Sequence, residues 1–158
     1  MTPESAERGT AAHTAIQLFE ENDLGSIDPS TEVYLQGYKQ FKAETGFVPN
    51  LIEVLFWQFC HRYGTRIDLT GILNGREILL EIKTGAPHPS WGLQLALQNE
   101  CLPKRLPRFA LQLKPDVTYR LQEFTDPNDR NVALACCAIV HWKRNNGGKN
   151  GNKSSRAA

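Results

Sequence analysis

No run in this 158-residue sequence approaches the roughly 20 apolar residues of a membrane span, which argues against a bilayer-crossing helix. The opening MTPESAERGT lacks the basic-then-apolar layout of a secretion signal, so the chain reads as cytoplasmic. Cysteine is sparse. Cys60, Cys101, Cys136 and Cys137 form no Cys-x-x-Cys pair and match no histidine spacing for zinc. Cys136 and Cys137 are adjacent in the apolar stretch VALACCAIV, where buried free thiols are the simple reading. Internal repeats are absent, and no composition shift marks a domain boundary before the C-terminal end.

Acids are missing from that end. Lys143 to Ala158 holds five basic residues and no Asp or Glu; without those five, 13 basic face 17 acidic side chains, about −4 for the rest. Residues 145–158, NNGGKNGNKSSRAA, are expected to form a disordered basic tail, either a solubilising end or a loose hold on nucleic acid. Residues 1–144 are expected to form a single domain with a real core.

Apolar spacing predicts a helix from Ser5 to about Asn22, stopped near Gly25. A second follows the Asp28-Pro29-Ser30 cap, runs to about Thr45 and ends at Gly46. Leu51 to about Cys60 is apolar on both faces and is expected as a central strand. Strands over about Tyr63–Leu73 and Arg76–Lys83 flank Asn74-Gly75, the strongest short hairpin signal. Ser90 opens a helix to about Cys101. Arg108–Leu113 and about Thr118–Phe124 make a second hairpin. A loop on Pro115-Asp116-Val117 puts Phe109, Leu111, Leu113, Tyr119 and Leu121 on one face. A last helix spans about Asp129 to Arg144. The order predicts an α/β fold with a mixed sheet of about five strands flanked by helices.

One strand carries an anomaly. In REILLEIKTG, Ile78, Leu80 and Ile82 share one face, while Glu81 and Lys83 share the other with Leu79. A two-residue turn at Asn74-Gly75 pairs Leu73 with Arg76 and, carried outward, brings Asp68 opposite Glu81. Like charges directly opposite destabilise a sheet, and a divalent cation between them reverses the sign. An ordinary Glu-x-Lys on a wet face is the plain alternative.

RIDLTG, followed across the hairpin by LEIKTG, resembles the core of the PD-(D/E)XK nuclease superfamily. Gly9-x-x-x-His13 in RGTAAHTA is similar to the first-helix motif of the RecB-like branch. Gln94 in GLQLALQ stands where that branch carries Gln-x-x-x-Tyr, with Gln98 in place of the Tyr. Gly64-Thr65 stand one position earlier than the usual spacing before the Asp. The resemblance implies a restriction-endonuclease-like core, with Asp68, Glu81 and the Ile82 carbonyl as ligands of Mg²⁺ or Mn²⁺. It makes His13 an additional ligand and Glu53 a ligand or an outer acceptor. Lys83 would position the attacking water, and Gln94 would support Lys83 or touch the DNA backbone. Without that context, His13 reads as a structural histidine, Glu53 as the partner of an arginine, and Gln94 and Gln98 as a wet helix face. Cys60 falls inside the motifs and Cys136-Cys137 are adjacent, so no iron–sulfur cluster is expected.

Candidate DNA contacts are Arg66, Lys104, Arg105, Arg108, Lys114 and Arg120, with the tail. Nothing resembles base-reading machinery. The expected activity is a metal-dependent DNA nuclease, an end-directed exonuclease of phage or mobile-element recombination acting on double-stranded DNA with a free end. A structure-specific endonuclease is a variant of the same chemistry. A non-catalytic nucleic-acid-binding or regulatory protein that keeps the fold is the alternative. Resemblance to small stand-alone exonucleases also implies self-association or a single-strand annealing partner.

Overall fold

The computed structural model describes residues 3–147. Helix α1 (Pro3–Glu20) is followed by two short 3-10 turns, Leu24–Ser26 and Pro29–Thr31, and by α2 (Glu32–Thr45). Asp28 prepares that entry: its Oδ1 accepts the Ser30 N–H at 2.8 Å. Gly46 closes α2 at φ +65°, donating its N–H to the Lys42 carbonyl, a backbone state that glycine reaches without steric cost. Strands β1 (Val48–Gln58), β2 (Tyr63–Leu73) and β3 (Arg76–Lys83) come next, then α3 (Ser90–Asn99), β4 (Arg108–Leu113), β5 (Tyr119–Phe124) and α4 (Asp129–Asn146).

The five strands lie in the order β1-β2-β3-β4-β5. All neighbours are antiparallel except β3 and β4, which run parallel because α3 carries the chain back between them. Asn74 (φ +50°) and Gly75 (φ +74°) are both left-handed, the signature of the tight hairpin turn, and Leu73 pairs with Arg76 as the sequence predicts. At the second hairpin Lys114 N–H donates to Thr118 O at 3.0 Å around the longer loop. Leu111 faces Leu121 and Leu113 faces Tyr119, and both pairs enter one core.

That core lies between the sheet and α1–α2. Tyr38 and Phe41 of α2 meet Phe47, and Leu69, Leu80, Ile82 and Leu111 come up from the sheet. Phe41 and Phe47 meet at a tilt with centroids 5.4 Å apart. The opposite face of the sheet offers Ile67, Leu79 and Ala110 to Trp91 and Leu95 of α3. Helix α4 packs outside α3.

Three expectations change. Cys136, expected as a buried thiol, is exposed on α4, and Cys137 is only half-buried. β1 is an edge strand, not a central one; its apolar Leu55 and Trp57, and Phe59 just beyond it, are exposed. Alternation and hydrophobicity report how apolar a strand is, not whether a neighbour covers it. The last helix extends through Asn146, so residues 145 and 146, expected in the tail, are helical; the rest of the expected tail, residues 148–158, lies outside the described residues.

Candidate metal centre and active site

The β2–β3 ladder ends at Leu69–Leu80, one step before Asp68 would pair with Glu81. In place of the ladder bond, Asp68 Oδ2 accepts the Ile82 N–H at 2.7 Å. A carboxylate thereby replaces a backbone carbonyl as acceptor, and β2 turns over at this point. Ile67 and Leu69, two residues apart, belong to opposite cores, where an unbroken strand would put both on one face. The neighbouring strand does the same. Ile52 joins the first core and Phe56 the second, and between them Glu53 sits at φ +50°. A left-handed glutamate costs on the order of 1–3 kcal/mol and persists only where its surroundings hold it.

His13 is part of what holds it. The ring reaches from α1 so that Nδ1 lies 2.9 Å from Glu53 Oε1 and 3.5 Å from Asp68 Oδ1, while Nε2 donates to the Ile82 carbonyl at 3.1 Å. Both nitrogens face oxygens, an arrangement that suits an imidazolium. Burial alone would lower the His13 pKa. The Glu53 hydrogen bond and the charges of Asp68, Glu53 and Glu81 outweigh it and raise the value from 6.5 to about 9. Asp68 is pushed well above the usual carboxylate range, first by burial and then by the Glu81 charge, against the pull of His13 and the Ile82 N–H.

Each of His13, Glu53 and Asp68 offers a donor atom, and the three lie within 4.8 Å of one another. An ion held at roughly 2.0–2.4 Å from each would span that separation. The chemistry fits a hard divalent cation as well: two carboxylates, one carbonyl and one imidazole, with Asp68 short of compensating positive charge. The residues present therefore fit a divalent cation.

Glu81 stands apart from this group. It is 1% exposed, and three donors hold its two oxygens. Lys83 Nζ (2.7 Å) and Gln94 Nε2 (2.5 Å) meet Oε1, and Gln98 Nε2 (2.5 Å) meets Oε2. Lys83 Nζ also donates to Gln94 Oε1 at 2.8 Å, and Gln98 Nε2 to the Arg66 carbonyl at 2.9 Å. The residues expected around one ion are thus divided between two linked clusters, His13–Glu53–Asp68–Ile82 carbonyl and Glu81–Lys83–Gln94.

Gln98 is the member that sequence reasoning missed. It is fully buried and joins α3 to β2 and β3, so Gln94 and Gln98 form no wet face. The available signal was two amides at i and i+4 on the helix that follows an unpaired buried glutamate.

The basic candidates scatter. Arg66, with a half-exposed side chain, reaches Glu53 Oε2 at 3.5 Å. Lys104 and Arg105 are exposed but engage Glu77 (2.6 Å) and Glu100 (2.7 Å). The largely covered Arg108 meets Asp129 at 3.0 Å and donates to the carbonyls of Gly92 and Asp126, so its guanidinium ties β4 to α3 and α4. Lys114 is half-buried beside the β4–β5 loop. Arg120 is exposed and pairs with Gln112, which pairs with Lys83. One transverse row therefore runs from Lys83 to Arg120, roughly 10 Å across three strands.

No family model matches the chain, and no curated protein matches it. Among solved structures, a protein from Eubacterium rectale described as a "putative exonuclease" superimposes with a TM-score of 0.62 at 10% identity, over 96% of this chain and 77% of that one. An alkaline exonuclease from Laribacter hongkongensis gives a TM-score of 0.44 at 18% identity, over 77% of this chain and 73% of that one. At such identity the first likeness shows the fold alone: the described residues form the α/β architecture expected from the sequence, a five-stranded mixed sheet with four α-helices.

Proposed function

We propose that the chain is a metal-dependent deoxyribonuclease that hydrolyses phosphodiester bonds with Mg²⁺ or Mn²⁺. The observation that carries this reading is the convergence of His13, Glu53 and Asp68 beside the Ile82 carbonyl, one residue away from Lys83. In that reading these four groups would hold the ion, and the chemistry it would supply is polarisation of a water and neutralisation of charge on the phosphate. Lys83 gives two ammonium hydrogens to Glu81 and Gln94, which leaves the third to aim at the attacking water or a phosphate oxygen. Glu81 sets the lysine's direction, and Gln94 and Gln98 fix Glu81. Arg66, at the rim beside Glu53, and Arg120, at the far end of the transverse row, are the basic groups best placed to hold the backbone.

The exonuclease reading is supported by the resemblance of the motifs and by the description of the Eubacterium rectale structure; its placing on double-stranded DNA with a free end in phage or mobile-element recombination rests on the resemblance alone. The test is digestion of linear and closed circular DNA with Mg²⁺ or Mn²⁺, with Lys83→Ala as control. Loss of linear DNA alone is expected. Nicked circles would redirect the proposal to an endonuclease. Binding without cleavage under either ion would overturn it in favour of a non-catalytic DNA-binding protein.

A further inference from the structure

The β1–β2 hairpin continues past the metal centre, and its outer half has a composition of its own. Between Glu53 and Asp68 the chain carries His61, Arg62 and Arg66 and no Asp or Glu, although acids nearly balance bases over the whole sequence. The same segment turns large apolar side chains to solvent: Leu55 is 64%, Trp57 73% and Phe59 86% exposed. Aromatic rings set among basic groups suit single-stranded nucleic acid, whose unpaired bases offer flat π-faces between phosphates.

The two faces of this half-hairpin are separate. Phe56 and Ile67 pack in the core under α3, and Gln58 Nε2 and the Tyr63 hydroxyl donate to the carbonyls of Glu100 and Leu97 on that side. Alternation sends Leu55, Trp57, Gly64 and Arg66 to the opposite face, the one that His13 approaches from α1. There Leu55 pairs with Arg66 and Trp57 with Gly64. A Cβ on Gly64 would lie 3.1, 3.2 and 3.3 Å from three adjacent atoms of the six-membered indole ring. An edge-on ring would bring the middle atom markedly closer than its neighbours, so the near equality means that the ring lies flat on the glycine backbone. One face of the indole is thereby covered by Gly64, and the other is open. Arg66, opposite Leu55, stands between this ring and the ion ligands, its guanidinium 3.5 Å from Glu53 Oε2. Trp57 follows Glu53 by four residues, about 13 Å along the strand, a span of a few nucleotides.

We infer that the open face of Trp57 is a stacking platform for an unpaired base of a DNA strand whose phosphates run past Arg66 towards the metal centre, with Arg62 and Phe59 at the far end. The identity of the polymer as DNA rests on the deoxyribonuclease reading, so the test measures binding without metal and takes nothing from cleavage. Oligothymidylate is titrated into the full chain with a chelator present. A Trp142→Phe background leaves Trp57 as the exposed indole beside the buried Trp91. Indole fluorescence should be quenched on binding, because the base stacks on the ring. Trp57→Ala should weaken binding roughly tenfold, and Trp57→Phe should recover most of the loss. Gly64→Ala keeps the indole but tilts it off the backbone, and should weaken binding as well. An abasic oligomer of the same length keeps the phosphates and lacks the bases. The parent should bind it more weakly than oligothymidylate, and Trp57→Ala should bind it as the parent does. Position 57 is open to solvent, so the circular dichroism of its variants should match the parent. Affinity for oligothymidylate unchanged by Trp57→Ala, an equal loss on the abasic oligomer, or binding without quenching would overturn the platform. Base-dependent binding of this kind, with no cleavage under Mg²⁺ or Mn²⁺, would sink the nuclease reading and leave the platform standing.

Discussion

The pH dependence of the metal-free protein tests the site most directly. His13 in the folded chain has its pKa raised to about 9 from 6.5, the sum of burial, which opposes, and the surrounding carboxylates, which prevail. The folded state therefore binds a proton that the unfolded chain releases between those values. The stabilisation is complete below about pH 6.5 and disappears as pH rises through about 9. A proton held roughly 300-fold more tightly corresponds to at most on the order of 3 kcal/mol. For a domain of this size that is roughly 6–12 °C in Tm. Asp68, also shifted upward, contributes with the same sign. The assay is thermal unfolding with a chelator at pH 6, 7.5 and 9, repeated with Mn²⁺. Tm without metal should fall across this window. The gain from Mn²⁺ should grow across it, because a ligand nitrogen must first lose its proton. His13→Gln should flatten both trends. A Tm that is level from pH 6.5 to 9, or a slope unchanged in His13→Gln, would refute the reasoning.

Asp68→Asn removes a charge that burial and Glu81 both disfavour while leaving an oxygen for the Ile82 N–H. It should raise the metal-free stability by on the order of 1 kcal/mol in denaturant titration and abolish Mn²⁺ binding by calorimetry. Gln98→Ala leaves Glu81 Oε2 without its donor; it should lower stability by roughly 1–3 kcal/mol and cut kcat more than it raises KM, with Gln98→Glu no rescue because it sets two carboxylates together. Arg108→Ala should cost about 3 kcal/mol or more in stability by stranding Asp129, whereas Arg120→Ala should leave Tm unchanged and reduce the salt dependence of DNA binding by about one phosphate contact.

Much of this was legible in the sequence because the informative signals are local. Asn74-Gly75 set the register of β2 on β3, and Pro115–Val117 set that of β4 on β5, each through its own turn. His13, Glu53 and Asp68 were marked as candidates, but their grouping depends on β1 and β2 both turning over at Glu53 and Asp68. No alternation rule encodes such a break, and it ends the β2–β3 ladder one step before Asp68 and Glu81, whose charge still acts on Asp68. Arg108 read as an open basic group because its partner Asp129 is 21 residues away and reaches it only through the packing of α4. The place of β1 at the edge depends on no other strand among the described residues pairing with its outer side, which composition leaves unwritten.

Glu53 also forecasts how the protein would respond to artificial evolution. Its left-handed backbone would be more comfortable as glycine or asparagine, and its side chain adds negative charge beside a buried aspartate. A randomised library screened for heat resistance alone should therefore replace this residue early, whereas one screened for DNA cleavage should keep it. The two lineages would diverge first at position 53.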